Sequence, residues 1–276
     1  MNAPRHARPL HEELDALRSE LLEMASLTEN LVTESMKAFT EFDHARADSV
    51  ILGDRELDAM EVEMDDACIN ILARQQPFAR DLRLIMMMMR ISNDLERVGD
   101  HAVNIAESVH HMESPPPLRR FPQIEEMGEL ALGMLSDSLD AFVRRDSVTA
   151  REICTRDDRV DNLHESLFRT ALTHMMEEPR RIGMGMSLIL VGRNLERMAD
   201  LATNIAEDVV FMVEGKSIKH RAEKPKHRAK REAAARDEAS QGDSSRDDAF
   251  PDAAFPDESS QDDSSRGEEG APPAEP

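Results

Sequence analysis

The sequence predicts an all-α fold of two tandem three-helix bundles followed by a disordered C-terminal tail. Three observations predict it: a core poor in aromatics, apolar seams at helical spacing, and an internal repeat. Nine Phe with no Trp and no Tyr leave 3% aromatics in 276 residues, so 18 Met together with Leu and Ala must fill the interior. Flexible, unbranched side chains suit helix-on-helix packing better than pleated sheets, which favour β-branched and aromatic residues.

Residues 10–215 divide into six helical segments. Leu14, Leu17, Leu21, Met24, Thr28, Leu31, Ser35, Ala38 and Phe42 alternate three and four apart, an apolar-or-small seam down one helix face. No proline falls between Pro9 and Pro77, yet a compact chain must turn, and Asp43–Ala47 is the expected place. Pro77 breaks the pattern, and the next helix is expected from about Ala79 to Met112. Ser114-Pro115-Pro116-Pro117 cannot continue a helix, which makes 114–122 a linker between a first bundle (10–113) and a second (123–215). Further helices follow at roughly 123–145, 147–177 and 181–214, with Pro179 placed as Pro77 is. A 30-residue helix is about 45 Å long, and helices of that length joined by short turns pack as antiparallel bundles.

Charge excludes several functions. Asp+Glu number 56 against 34 Lys+Arg, a formal net charge of -22. A general nucleic-acid binder needs basic surface for the phosphate backbone, so none is expected here. The longest strongly apolar run, Leu84 to Met89, is too short to span a membrane. The first residues show no apolar region of a secretory signal, and Cys68 and Cys154 are solitary, so a reducing, cytoplasmic location is expected. Residues 216–236 carry nine basic and two acidic residues, and 237–276 carry two basic and 13 acidic. With SQGDSSR at 240–246 returning as SQDDSSR at 260–266, the stretch 216–276 reads as a disordered, basic-then-acidic tail.

The repeat is the strongest signal. ISNDLERVGDHAVNIAESV (91–109) and VGRNLERMADLATNIAEDV (191–209) align without a gap and share ten of nineteen residues. Five of the shared residues are polar, which common helical composition does not explain, so the body is a duplicated three-helix unit. Glu96, Asp100, Asn104 and Glu107 lie at i, i+4, i+8 and i+11 and form one stripe on a helix. Glu196, Asp200, Asn204 and Glu207 repeat it. Upstream, Asp54, Asp58, Glu61 and Asp65 stack on one face, as do Asp157 and Asp161 in the second half.

If those helices are neighbours, four or more carboxylates converge in each half. Unit charges ~4 Å apart repel by about 4 kcal/mol at an effective dielectric of about 20. Such a face is tolerated when solvated, protonated, paired with Arg97 or Arg197, or bridged by cations. All-oxygen ligands favour Mg²⁺, Mn²⁺ or Ca²⁺, and ferric iron is compatible with carboxylate bridging. A solvated acidic face remains the plain alternative, although it has no need of matched Glu, Asp and Asn at equal register. Other chemistry is weaker. Glu107-x-x-His110 has the spacing of di-iron bundles, but its counterpart ends in Val210. No Gly-rich phosphate loop is present, and Cys68 reads as core. Met86 to Met89 read as core with an exposed edge. His101 is either an accessory ligand or an ordinary polar position.

The ordered motifs QQPFARDLRLIM (75–86), NDLERVGDHAVNIAE (93–107) and NLERMADLATNIAE (194–207) resemble the PhoU family over residues 10–215. The resemblance implies two three-helix bundles, each with an acidic pair of helices able to hold a metal cluster. It implies a non-enzymatic, cytoplasmic accessory protein that negatively regulates high-affinity phosphate uptake and starvation signalling. The implied partners are the ATPase subunit of a phosphate ABC transporter, a sensor histidine kinase and a second copy of the chain. The implied metal residues are Asp54, Asp58, Glu96 and Asp100 in one half, and Asp157, Asp161, Glu196 and Asp200 in the other. Asn104, Glu107, Asn204 and Glu207 would support them, and the ions would be divalent or ferric (Fe, Mn, Mg or Zn). The halves are unequal, since Ala199-Asp200-Leu201 replaces Gly99-Asp100-His101 and His164 stands where the first half has Glu61. A metal-storage or oxidase bundle and a generic helical scaffold are the competing readings.

Overall fold

The structure, a computed structural model, describes residues 9–218. Among these, six α-helices and two single 3-10 turns account for nearly all residues, and there is no strand. The helices are α1 (Leu10–Glu41), α2 (His44–Gln75), α3 (Ala79–His111), α4 (Gln123–Arg144), α5 (Ser147–Glu177) and α6 (Ile182–Glu214). Apart from Lys216 to Ile218, the expected disordered tail lies outside the described residues.

The duplication extends to the turns. Phe42 closes α1 in the left-handed region (φ 56°), and Asp43 then caps α2 by accepting a hydrogen bond from the Arg46 amide at 3.0 Å. Arg145 closes α4 in the same way (φ 54°), and Asp146 caps α5 by accepting from the amides of Val148 and Thr149. A side-chain acceptor on the first amides of a helix satisfies donors that have no intrahelical partner. The turn therefore comes at Phe42-Asp43, just ahead of the expected 43–47. Phe42 caps the end of the α1 seam, and Phe39, one turn earlier, is the fully buried residue there.

Leu14, Leu17, Leu21, Met24, Leu31 and Ala38 are buried as the seam requires, and Thr28 and Ser35 are buried by bonding back to the carbonyls of Met24 and Val32. In the methionine run, Met87 and Met88 are core while Met86 is exposed. Helices α1, α2 and α3 pack together, α4, α5 and α6 pack together, and α3 lies along α6. The two run antiparallel, because His101 Nδ1 meets Asn194 Oδ1 at 3.0 Å while Arg90 reaches Asp208 at 3.1 Å. The proline-rich linker is more than a spacer. Phe121, at its end, is fully buried with its edge on the His174 ring, and Pro116 is buried too. No helix of the described residues is long and apolar enough to cross a membrane.

Gly133, in the interior of α4, offers a clean stability test. A Cβ there would meet nothing within 4 Å. Gly133→Ala is expected to stabilise the fold by about 0.5–1 kcal/mol, because Gly loses more backbone entropy in a helix than Ala. Urea titration checks this through a raised midpoint at unchanged slope.

Candidate functional site

The four first-half carboxylates come from two helices. Asp54 and Asp58 sit one turn apart on α2, and Glu96 and Asp100 one turn apart on α3. The structure brings them together. Burial, followed by the charges of Asp58 and Asp100, pushes the Asp54 carboxyl up to about 6. Burial, then Asp100, Glu61, Asp58 and Asp54, push Glu96 up to about 7. Each carboxylate makes its neighbour costlier to ionise, and desolvation in the helix interface adds to this. Asp54 Oδ1 is buried and accepts no hydrogen bond.

A glycine sets this proximity. A Cβ at Gly99 would overlap Leu57 Cδ2 and stand 2.9 Å from Asp54 Oδ1, so only Gly lets α3 approach α2 here without a shift. The second half has Ala199 instead, and the close approach moves seven residues upstream to Gly192. There a Cβ would overlap Leu167 Cδ2 and stand 3.3 Å from His164 Cδ2.

The second cluster joins Asp157 and Asp161 of α5 to Glu196 and Asp200 of α6. Burial, then Asp157, Glu196 and Asp161, raise Asp200 to about 6, against a smaller opposing pull from Arg197. Asp157 is only 3% exposed. The difference foreseen at His164 has a structural effect, for its Nδ1 lies 2.9 Å from Glu196 Oε2. The corresponding pair in the first half, Glu61 and Glu96, is repulsive. One cluster is thus all-carboxylate, and the other carries an imidazole against its glutamate.

The supporting residues are placed differently. Asn104 and Glu107 line an α3–α6 groove of about 430 Å³ together with His101, Arg193 and Arg197. Asn204 opens on a second groove of about 460 Å³, beside Glu61, Asp65 and Arg90. Glu207 faces α5: burial, then Glu207 and more weakly Asp157, raise the Cys154 thiol to about 11. His101 is spent on Asn194 across the α3–α6 wall. His110 Nε2 lies 3.1 Å from Asp48 Oδ1 and its Nδ1 3.2 Å from His44, so the Glu107-x-x-His110 spacing does not gather a ligand pair. Cys68 is fully buried and its thiol is pushed up to about 12 by burial, then Asp65 and Glu20, which agrees with a core role.

Whether these clusters suit an ion depends on two observations. The donor chemistry suits one: oxygen donors at i and i+4 on two rigid helices, with a buried Asp54 oxygen that nothing satisfies, match hard cations. The present side-chain positions do not. Among the described residues no three of His, Cys, Asp and Glu stand close enough to hold one ion, so the carboxylates would have to turn inward to share it.

Comparison with known proteins agrees with the architecture. The PhoU domain family model matches residues 21–109 and again 124–209, one match for each half. A phosphate-specific transport system accessory protein PhoU homolog from Aquifex aeolicus is 37% identical over 217 residues, covering 79% of this chain and 98% of its own. The homolog from Rhizobium meliloti is 40% identical over 205 residues, 74% of this chain and 86% of its own. The crystal structure of PhoU from Pseudomonas aeruginosa superposes with a TM-score of 0.73 at 36% identity, over 75% of this chain and all of that one. The phosphate transport system regulatory protein PhoU from Streptococcus pneumoniae gives 0.71 at 27% identity, over 76% and 100%. With both repeats matched and the fold shared with solved members, the chain belongs to the PhoU family.

Proposed function

We propose that this protein is a cytoplasmic, non-enzymatic accessory regulator of phosphate-specific transport, which restrains uptake and starvation signalling when phosphate is plentiful. The observation that carries this reading is the family match over both halves to relatives named as accessory proteins of that transport system. The protein works by binding. Its partners in this reading are the transporter's ATPase subunit, the sensor histidine kinase and a second copy of itself.

An exposed apolar face supports a binding role. Phe168, Leu172 and Met176 on α5 and Ile182, Met186 and Leu190 on α6 are all exposed, Met176 at 76%. The two helices are antiparallel, with Gly185 against Met175 and Gly192 against Leu167, so the six side chains stand level in pairs. Contiguous apolar surface of this kind marks an interaction site. The equivalent face of the first bundle keeps exposed Ile69, Leu82 and Met86 but carries Asp65 and Arg90 in place of Phe168 and Leu190, so charge interrupts the patch there and leaves it longest on the second.

The carboxylate clusters would serve as ion sites that brace this scaffold. Asp54, Asp58, Glu96 and Asp100, and separately Asp157, Asp161, Glu196 and Asp200, would hold Mg²⁺, Mn²⁺ or ferric iron. The His164–Glu196 pair makes the second site the more tolerant of Fe or Zn. A bound cation supplies positive charge that cancels the mutual repulsion across each helix pair.

A phosphatase reporter of the starvation response, read in high phosphate, tests the proposal. Deleting the gene is expected to derepress the reporter, and the intact gene to restore repression. The pair Leu172→Glu with Met186→Glu is expected to lose most of that repression while melting like the parent. An unchanged reporter in the deletion strain sinks the regulatory role. Full repression by the double variant removes the α5–α6 patch from it.

A further inference from the structure

The chain is strongly acidic, with a net charge of -18 over residues 1–215, yet four arginines gather at one end of α3. Arg80 and Arg83 project from its first turns, and Arg145 comes from the α4–α5 turn. Arg18, on α1, lies near enough to act electrostatically on Arg145. Arg80, Arg83 and Arg145 line a cavity of about 180 Å³ with Asp81, over an apolar floor that includes Leu84 and Met212. Among the described residues none of the four forms an ion pair, and Arg83 Nε is buried without a hydrogen-bond acceptor. The Arg83 guanidinium lies against Gly215, the α6 cap, at 3.7 Å from where a Cβ would be. Burial, then Arg18 and Arg80, push the Arg145 guanidinium below its ordinary range, with Asp81 opposing.

Neither fold nor repeat requires this arrangement. The turn that holds Arg145 recurs in the first half with Phe42 in the same left-handed conformation, so the turn's geometry does not call for a cation. Packing several guanidinium groups around a cavity, one donor unsatisfied, is costly in an empty fold and favourable around an anion. Guanidinium forks recognise the paired oxygens of phosphate and carboxylate groups, and arginine is favoured where a doubly charged, many-acceptor ion is bound.

We infer that the cavity among Arg80, Arg83 and Arg145, with Arg18 beside it, is a binding site for a multiply charged oxyanion of the phosphate class. Leu84 and Met212 make the floor apolar, and the cavity's size admits a single tetrahedral group with part of its hydration. The site lies on different residues from both carboxylate clusters. Its failure would leave the regulatory reading untouched.

Calorimetric titration of the full-length protein tests this, using inorganic phosphate against sodium chloride of matched ionic strength, with glycerol 3-phosphate as a second arm. Saturable one-site binding of phosphate is expected, weakened at least tenfold by Arg80→Gln or Arg145→Gln and abolished when both are changed. Arg119→Gln, in the linker and outside the cavity, should bind as the parent does, and thermal melts confirm that all variants fold. Tighter binding of inorganic phosphate than of the ester identifies the free ion as the ligand. The reverse order identifies an esterified phosphate. No saturable binding of either, or unchanged binding in the double variant, overturns the site.

Discussion

Metal-free protein is expected to become more stable as pH falls from 8 to 5.5, the reverse of ordinary acid destabilisation. Asp54 and Asp200 at about 6, and Glu96 at about 7, all lie above the unfolded range near 4. Between these limits the folded state holds protons that the unfolded state has released. Stability is therefore lost as pH rises through the folded values, and regained as it falls towards the unfolded ones. The three shifts taken at face value overstate the effect, because these groups are partly solvated and screened. Integrated from pH 8 to 5.5 and discounted for that screening, they total about 2 kcal/mol, or roughly 4–8 °C in melting temperature for a body of this size. Glu34, held low by Lys37 and then Arg46, and Asp146, held low by the Thr149 hydroxyl and amide, act in the opposite sense only below about pH 4, whereas His101, held below the ordinary imidazole range by burial, offsets part of the gain as pH falls through that range. Thermal melts after chelation check the prediction, and a melting temperature that falls steadily from pH 8 to 5.5 contradicts it. Glu96→Gln should raise the pH 8 melting temperature of the metal-free protein. Added Mn²⁺ should stabilise the parent more at pH 8 than at 5.5, and the Gln variant less than the parent.

Phe121→Ala is expected to be the most damaging single substitution in the linker, costing about 3–5 kcal/mol. Its ring is fully buried between Pro-rich chain and the second bundle, with the His174 ring 5.7 Å away edge to face. Truncation leaves a cavity that the prolines hold open, since they restrict how far the chain can collapse into it. Phe121→Leu keeps most of the volume and should cost much less. Denaturant unfolding of both variants separates cavity formation from a general sensitivity of the linker. Equal, small losses would show that Phe121 merely covers the core.

The helical body was legible because its signals are local and repeated: seams at three–four spacing, prolines at 77 and 179, and a nineteen-residue match at an offset of 100. The grouping of four carboxylates in each half was legible for the same reason, since i and i+4 share a helix face. What escaped depends on which helices face one another. Asn104 and Asn204 belong to the acidic stripes by spacing, yet α3 turns Asn104 towards α6 and α6 turns Asn204 towards α3, a wall revealed by the contacts of His101 with Asn194 and Arg90 with Asp208. Phe121 looked like part of a spacer because a lone aromatic among prolines has no periodicity to mark it as buried. Arg18, Arg80, Arg83 and Arg145 are spread over more than a hundred residues of an acidic chain and share no spacing, so only the fold collects them. Gly99 stood inside a recognisable motif, but its reason, the lack of room beside Leu57 and Asp54, is purely three-dimensional.

The antiparallel wall of α3 and α6 makes the molecule a dimer in one piece of chain. Helices 100 residues apart in sequence meet about a near-twofold relation, as two copies of an ancestral unit would across an isologous interface. Tethering by a linker of about ten residues replaces a concentration-dependent association with a local concentration in the millimolar range. Each half is then assured of its neighbour at any expression level. Freed from the need to match a mirror of itself, each half can diverge, as His164 has from Glu61 and Arg145 from Phe42.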